Sequence, residues 1–287
     1  MASLKEIKGR IGSVRNTLKI TSAMKVVAST KLHRVQAAIE NLLPYDQRFS
    51  SMLGNFLGSA EEIDSPFIQV REPKRVAIVT IASNSSLCGG YNSGVIKRTT
   101  KVLQEYSQIE KGNLFIYPIG RKVAQALAKN HSLIEDFEVI GNDVKYQDAV
   151  RLADLLMTQF ANKEIDRVEL LYMHYKSAST QEMRRETLLP LQVNAGKQEG
   201  GTFTSNYIVE PSVDEIIAKL IPQSIRLKLY TVLLDSNAAE HAARTVAMQQ
   251  ATDNAEDLLQ ELSLMYNKGR QQAITSELLD IIGGSMK

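Results

Sequence analysis

The apolar residues at the N-terminal end of the chain recur at alternating steps of three and four, the spacing of a coiled-coil seam. Ser3 and Glu6 have the spacing of a capping box, which predicts a helix start at this point. We therefore predict a helix over residues 3–57, with Pro44 either kinking it or separating a shorter continuation from it. The seam consists of Leu4, Ile7, Ile11, Val14, Leu18, Thr21, Lys25, Ala28, Leu32, Val35, Ile39 and Leu42.

The C-terminal end, residues 223–287, repeats the same spacing around a polar gap. A helix of that length spans about 95 Å, more than one domain is wide, so a partner must run beside it. The predicted seam is Leu227, Tyr230, Leu234, Met248, Ala251, Ala255, Leu258, Leu262 and Met265, and the gap holds Asn237, His241 and Arg244. Alanines at every fourth position from Ala239 to Ala255 favour close approach of another helix. We predict antiparallel pairing of the two terminal helices within one molecule, with Pro222 marking the joint before the long C-terminal helix.

The middle of the chain alternates β-branched runs with amphipathic stretches, a pattern typical of a largely parallel sheet between helices. Strands are predicted at 75–82, 113–119 and 167–174, helices at 93–106, 121–129 and 148–160, and an edge strand at 183–193. The fold class is therefore α/β: a long antiparallel coiled coil of the N- and C-terminal helices plus a three-layer Rossmann-like α/β/α domain. The predicted divisions are residues 1–58 for the N-terminal helix, 74–205 for the α/β domain and 208–287 for the C-terminal helix.

Charge is distributed unevenly along the chain. Residues 1–50 carry a net charge of +6 and residues 223–287 a net charge of −2, which favours pairing of the two ends. No apolar run reaches the length of a membrane span, and no secretory signal is recognisable. The single cysteine, Cys88, excludes an internal disulfide and fits a reducing compartment.

The motifs of catalysis are missing from this sequence. It contains neither a phosphate-binding G-x-x-x-x-G-K-[ST] nor a dinucleotide-binding G-x-G-x-x-G, and its four histidines lack the spacing of metal ligands. Cys88 falls between a strand and a helix start, where packing under a tight turn is favoured over a reactive thiolate. We therefore expect no catalytic residue, no metal and no cofactor.

Three functional hypotheses and one local ambiguity remain at this point. The chain is a structural shaft, an α/β enzyme with helical arms, or a basic coiled-coil adaptor for nucleic acid or anionic membrane. A second apolar line at Ile20, Met24 and Val27 beside the N-terminal seam is either a wider core face or an outward contact with a third protein.

Four stretches carry a resemblance to a known family. Residues 20–29 read ITSAMKVVAS, residues 87–92 LCGGYN, residues 240–255 EHAARTVAMQQATDNA, and residues 266–277 YNKGRQQAITSE. In order and spacing they resemble the motifs of the gamma subunit of rotary ATP synthase over essentially the whole chain. One departure is Asn-Ser-Ser at 84–86, where that family commonly has Asp-Arg-Gly.

The resemblance implies a central rotor shaft that couples rotation of a c-subunit ring to ATP synthesis or hydrolysis in a hexamer. The implied partners are the catalytic and non-catalytic nucleotide-binding subunits, the epsilon subunit and the c ring, with one copy of this chain per complex. The implied location is the cytoplasmic face of the bacterial inner membrane, as a peripheral subunit without catalytic residues of its own. No contact with nucleic acid is implied, and contact with the membrane only through the complex.

The resemblance also implies roles for particular residues. Those implied to contact the catalytic subunits and couple rotation are Met24, Lys25, Arg244, Gln271, Thr275 and Glu277. Tyr207 and Glu210 would contact the c ring at the foot, and Ile281 and Ile282 would form the tip in the upper bearing.

Overall fold

A computed structural model describes residues 3–59, 65–134, 140, 144–192, 210 and 212–285. The chain divides into two compact units, one of residues 1–29 and 244–287 and the other of residues 30–243. The helices are α1 (Leu4–Ser59), α2 (Tyr91–Glu105), α3 (Arg121–Leu127), α4 (Tyr146–Ala161) and α5 (Val213–Ser285), with a short 3-10 turn at Lys111–Asn113. The strands are β1 (Val76–Ile81), β2 (Leu114–Ile119), β3 (Arg167–Tyr175) and β4 (Gln181–Leu189).

The larger unit, residues 30–243, contains a four-stranded sheet in the order β2-β1-β3-β4. β1 pairs with β2 and β3 in parallel, and β4 pairs with β3 in antiparallel orientation at the edge. All six residues of β1 are buried, as expected of a central strand covered on both faces. The mostly parallel sheet and its added edge strand are thus confirmed.

Alternate residues of each strand face two different hydrophobic cores, because side chains point to opposite faces with a period of two. On one face, Ile78 packs with Val95 of α2 and Val123 of α3. On the other face, Val79 packs with Leu156 of α4 and with Ile221 of α5. Helices therefore cover both faces, and the three-layer α/β/α prediction is confirmed.

The N-terminal helix begins as the capping pattern predicts, since the backbone N–H of Glu6 donates to Ser3 Oγ at 3.2 Å. Pro44 lies inside α1 and does not separate a second element from it. Pro44 is exposed, so the carbonyl that loses its intrahelical partner can be hydrated by water.

The prediction that Pro222 marks a joint before the long helix is wrong, since α5 runs through it from Val213. Ile217, Ile221 and Ile225 follow one another at four-residue steps on either side of the proline, and all three are buried in the core of the larger unit. Burial of this stripe outweighs the lost helical hydrogen bond, which costs about 3 kcal/mol or more.

In the smaller unit, residues of α1 and α5 pair in antiparallel orientation. Thr252 Oγ1 donates to Thr21 Oγ1 at 3.0 Å, and Lys25 Nζ donates to Gln249 Oε1 at 2.8 Å. Near the start of α1, Gly269 allows the close approach of Leu4, whose Cδ2 would lie 3.1 Å from a Cβ at that position. The partner number falls as the α1 number rises, which confirms the predicted direction.

Two of the six predicted C-terminal seam residues within this unit, Leu258 and Met265, do not lie in the seam. Leu258 and Met265 are 44% and 48% exposed, whereas Met248, Ala255 and Leu262 are buried as predicted. Between Met248, Ala255 and Leu262, the other positions of the buried line on α5 are Thr252, which is buried, and Leu259 and Tyr266, which are half-buried. Two adjacent lines on α5 share the three-four spacing, and the pairing with α1 decides which one is buried.

The predicted alanine ridge does not begin against a helix of the pair, since Ala239 packs against Cys88 and the start of α2. The alanines that pack with Leu32 of α1 are Ala238 and Ala242, which lie outside the predicted ridge. The small alanine side chains of α5 therefore let α1 approach on one face of the helix and the turn after β1 on another face.

Candidate functional site

A sheet of this order binds ligands at the carboxyl ends of β1 and β3. At that point the chain leaves β1 toward β2 at one edge of the sheet and leaves β3 toward β4 at the other edge, which opens a crevice between the two connections. In this chain the crevice is filled by α5. Ser236, Asn237 and Glu240 of α5 face Tyr91 across a residual cavity of about 10 Å³. That volume is room for about one water. This part of the crevice therefore offers no space for a substrate.

The first contact that fills the crevice comes from the N-terminal end of α2. The Tyr91 hydroxyl lies 2.8 Å from Ser236 Oγ and 3.1 Å from the Ser236 carbonyl oxygen, and both residues are buried. Burial raises the pKa of Tyr91 well above its ordinary value, and the nearby charge of Glu240 acts in the same direction. Tyr91 is therefore a neutral, buried hydrogen-bonding group at neutral pH.

The second contact comes from the end of β3. Asp235 Oδ1 accepts the backbone N–H of Tyr175 at 2.9 Å, and Asp235 Oδ2 lies 2.6 Å from His174 Nδ1. The Tyr175 hydroxyl in turn accepts from Gln36 Nε2 of α1 at 3.0 Å. Tyr175 is thus hydrogen-bonded to both long helices.

The turn between β1 and α2 is held by its own polar side chains. Asn92 Oδ1 accepts from both the backbone N–H and the hydroxyl of Ser83, at 3.1 and 2.9 Å. Asn84 Oδ1 accepts the backbone N–H of Arg121 at 2.8 Å and so satisfies a free donor at the start of α3. The Asn-Ser-Ser departure at 84–86 therefore has a local capping role. Cys88 is buried in this turn, as the packing interpretation predicts.

A buried ion pair fastens β4 to the rest of the domain. Arg185 donates to both carboxylate oxygens of Glu169, from Nε at 2.8 Å and from Nη2 at 3.0 Å. The Tyr106 hydroxyl donates to the same carboxylate at 2.6 Å. The Glu169 side chain is 4% exposed, so its charge depends on these partners.

Met24 and Lys25, implied to contact the catalytic subunits, are half-buried on α1 in the smaller unit. Lys25 is engaged with Gln249, whereas its neighbours Ile20 and Val27 are 59% and 56% exposed. The interpretation of Ile20, Met24 and Val27 as a wider core face is therefore wrong. The exposure of two of the three favours the alternative, an outward contact.

The remaining predicted residues lie on or before α5. Arg244 is buried, in contrast to Gln271, Thr275 and Glu277, which are exposed. Thr275 Oγ1 donates to the Gln271 carbonyl at 2.9 Å within the helix.

The structure describes three of the four residues that the resemblance implies for the bearing tip and the foot. Ile281 and Ile282 are 67% and 54% exposed, and Glu210 is also exposed. Tyr207 lies outside the described residues.

Sequence reasoning missed the residues that fill the crevice, above all Tyr175, Asp235 and Ser236. The sequence signal nearest to them was the polar gap in the α5 seam at Asn237, His241 and Arg244, which follows Asp235 and Ser236 directly and which a coiled coil alone does not explain.

Two kinds of site are absent from the part of the chain that the structure describes. That part contains no group of three His, Cys, Asp or Glu side chains arranged to hold a metal ion. It also contains no helix that combines the length and apolar character needed to cross a bilayer.

Comparison with known proteins identifies the class of protein to which this chain belongs. The family model described as ATP synthase matches residues 3–286. The chain is 57% identical over 288 residues to the ATP synthase gamma chain of Phocaeicola vulgatus, and 52% identical over 289 residues to that of Bacteroides fragilis strain ATCC 25285. In both cases the match covers 100% of each chain.

Solved structures agree with this class. The central stalk and c-ring structure of the Tetrahymena thermophila mitochondrial ATP synthase contains a chain with a TM-score of 0.56 at 25% identity, over 81% of this chain and 99% of that one. A chain of the Euglena gracilis mitochondrial ATP synthase rotor shares the fold with a TM-score of 0.60 at 16% identity, over 94% of this chain and 98% of that one.

The chain belongs to the ATP synthase gamma chain family, which forms the central rotor stalk of that enzyme complex. It is thus a subunit of a membrane-associated complex. The comparisons give no support to the nucleic-acid or membrane adaptor alternative.

Proposed function

We propose that this chain is a non-catalytic rotor shaft, present in one copy, that couples c-ring rotation to conformational change in a hexamer of catalytic and non-catalytic subunits. The observation that carries the proposal is the exposure of large apolar side chains in the C-terminal part of α5. Leu4, the first apolar residue of α1, lies beside Gly269. Beyond that level α5 continues with large apolar side chains that are 47% to 67% exposed, namely Ile274, Leu278, Leu279, Ile281 and Ile282.

An end of this kind suits a bearing. Exposed apolar side chains on one helix are stabilised when a surrounding apolar surface covers them, and apolar burial has no preferred direction. A shaft tip can therefore turn inside a sleeve without breaking directional contacts. Gln271, Thr275 and Glu277 lie along the same exposed end of α5, so their proposed coupling contacts would be made with the surrounding subunits.

Further contacts with the catalytic subunits are proposed on α1 and at Arg244 of α5. The partly exposed Met24 and Lys25, flanked by the exposed Ile20 and Val27, form a mixed apolar and basic surface for the catalytic subunits. Arg244 is proposed to act from its buried position on the inner side of α5.

Glu210 is proposed to contact the c ring together with Tyr207. The α/β domain is proposed to contact the epsilon subunit. This arrangement would place the chain on the cytoplasmic face of the bacterial inner membrane, peripheral and held through its partners. No cofactor is required in this role.

Reconstitution tests the proposal directly. The catalytic and non-catalytic subunits of the same organism are mixed with and without this chain, and the isolated complex is assayed for its subunit copies and for ATP hydrolysis. We expect one copy per hexamer and turnover that depends on the chain. A chain that migrates alone, with hydrolysis unchanged by its presence, contradicts the proposal.

The bearing role has a test of its own. Deleting the residues after Gln272 is expected to weaken assembly or coupled synthesis. A matched variant that keeps the length but replaces Ile274, Leu278, Leu279, Ile281 and Ile282 by glutamine separates length from apolarity. If both variants synthesise ATP at the wild-type rate and remain assembled, the bearing role is wrong.

A further inference from the structure

We propose that Tyr91, His174, Tyr175, Asp235 and Ser236 form a clamp through which the α/β domain grips the long helices and transmits torque to them. This inference rests on the proposed rotor function and assigns positioning roles to residues that the motifs of the family resemblance do not include, except Tyr91. The clamp fills the crevice that a sheet of this order uses for ligands. In this chain the crevice holds the shaft instead.

The need for a clamp follows from the physics of a rotating shaft. Apolar packing holds a helix against a domain, but it has no directional preference and resists rotation of the helix only through the shapes in contact. Hydrogen bonds are directional and weaken steeply when their angle changes. A joint that must transmit torque therefore gains from polar contacts placed at different angles around the helix.

The clamp has this arrangement. Asp235 and Ser236 are consecutive residues of α5, so their side chains leave the helix about 100° apart. Asp235 is bound by the end of β3, and Ser236 by Tyr91 at the start of α2. Two separate elements of the domain thus fix two directions around one helix axis.

The same clamp extends to α1. The Tyr175 backbone N–H is bound by Asp235 of α5, while its hydroxyl accepts from Gln36 of α1. Its ring packs in the cluster formed by Leu32 with Ala238 and Ala242. Because one residue contacts both helices, rotation of either helix against the domain would disturb it.

Burial makes these contacts costly to break. Ser236 is 1% exposed and Tyr91 4%, so water cannot readily replace their hydrogen bonds. Asp235 adds two contacts from one side chain, Oδ1 to the Tyr175 N–H at 2.9 Å and Oδ2 to His174 Nδ1 at 2.6 Å.

The test uses the membrane-embedded complex with the full chain, carrying Asp235→Ala and Tyr91→Phe together. The matched control is Thr80→Val, which breaks a buried hydroxyl pair of 2.8 Å between Thr80 and Thr99 inside the domain and leaves the clamp intact. Three quantities are measured: hydrogen exchange of the Tyr175 amide, ATP hydrolysis without a proton gradient, and gradient-driven ATP synthesis against the load of a high ratio of ATP to ADP and phosphate.

We expect the double variant to raise exchange of the Tyr175 amide about tenfold or more, the factor for losing a hydrogen bond to a charged acceptor. Hydrolysis without load should stay close to wild type, while synthesis under load should fall. The control should lower the melting temperature and leave the other three measurements unchanged. Ser236→Ala alone should lower synthesis under load, and Ser236→Thr, which keeps the hydroxyl, should retain it.

The outcomes separate this inference from the proposed function. If the wild-type chain supports coupled synthesis and the double variant does so equally under load, the clamp inference is overturned and the rotor function stands. The inference is also overturned if the control loses synthesis under load as much as the double variant does. If the wild-type chain itself fails to support coupling, the proposed function fails first. Should the double variant not assemble, the Ser236→Ala and Ser236→Thr pair decides the question.

Discussion

The sheet domain within residues 30–243 and the helix pair of residues 3–29 and 244–285 differ in the side chains that each buries in its own interior. The domain buries large aliphatic and aromatic side chains completely, among them Phe160, Leu152 and Leu170. In the helix pair, seven of the described side chains are buried: Thr21, Ala28, Arg244, Met248, Thr252, Ala255 and Leu262. Three of the seven, Thr21, Arg244 and Thr252, are polar or charged.

The difference shows how stability and contact surface are divided within one chain. The domain is stabilised by many long-range apolar contacts and presents few large apolar side chains outward. The helix pair buries little and exposes much, so its apolar surface is available to other subunits. The stable core and the apolar surface available to other subunits therefore belong to separate units of this chain. The predictions below test this division.

The largest effect is expected in the domain core. Leu156→Ala removes a completely buried side chain between α4 and the sheet, and it should lower the free energy of unfolding by about 2 to 5 kcal/mol. The matched variant Leu264→Ala, at a helix position that is 72% exposed, should change it by no more than about 0.5 kcal/mol. Urea unfolding followed by circular dichroism measures both, and equal losses would contradict the comparison.

A smaller loss is expected from the ion pair that holds β4. Arg185→Ala leaves the buried Glu169 charge without its bidentate partner and should cost about 3 kcal/mol. The neighbouring Arg184 is 44% exposed and lies 3.9 Å from Glu186, so Arg184→Ala should cost less than about 1 kcal/mol. Thermal unfolding of the two variants tests this, and a reversed order would show that the Glu169 network is not structural.

The next effect depends on pH. Tyr91 has a raised pKa in the folded chain, so its contribution is fully present below the unfolded value of about 10 and is lost as pH rises toward the folded value. Above pH ~10 each such tyrosine lowers the free energy of unfolding by up to about 1.4 kcal/mol per pH unit. Tyr91→Phe should cost about 1 to 2 kcal/mol at neutral pH.

That variant should also make alkaline unfolding less steep. Tyr106, Tyr117 and Tyr172 have pKa values that are also raised, so part of the slope will remain. Unfolding midpoints measured between neutral pH and pH ~11 give the slope. An unchanged slope in the Tyr91→Phe variant would mean that this hydroxyl is not buried in the native chain.

The smallest effect distinguishes the two candidate lines on α5. Leu259→Ala, at a half-buried position, should cost about 1 kcal/mol, because roughly half of a leucine side chain is removed from a contact. Leu258→Ala, at a position 44% exposed, should cost clearly less. Hydrogen exchange of the α5 amides around these positions reports the difference, and a larger effect of Leu258→Ala would restore the predicted seam.

The sequence predicts the regular elements of the fold well, because each depends on local spacing. The helix start at Ser3, the buried strand β1 and the edge strand β4 were all predicted from hydrophobic periods and capping residues. The Pro222 prediction fails because the local break in hydrogen bonding is outweighed by packing that the local sequence does not contain. At Pro44 the alternative of a separate second element is likewise excluded, since α1 continues through it. The family could also be predicted, from motifs at both ends of the chain.

Some of the candidate site was beyond sequence reasoning. Asp235 and Ser236 are separated from their partners Tyr175 and Tyr91 by 60 and 145 residues, and no period links them. The choice between Leu258 and Leu259 likewise depends on the helix that lies alongside.

By itself, then, the sequence determined the helices, the strands, their order and the absence of known catalytic motifs, since these follow from spacing along one chain. The tertiary structure alone decided which face of α5 is buried, that the ligand crevice is filled by that helix, and which polar side chains join there. Those outcomes depend on contacts between segments far apart in sequence, where directional hydrogen bonds and burial select one arrangement among several that the local pattern permits equally.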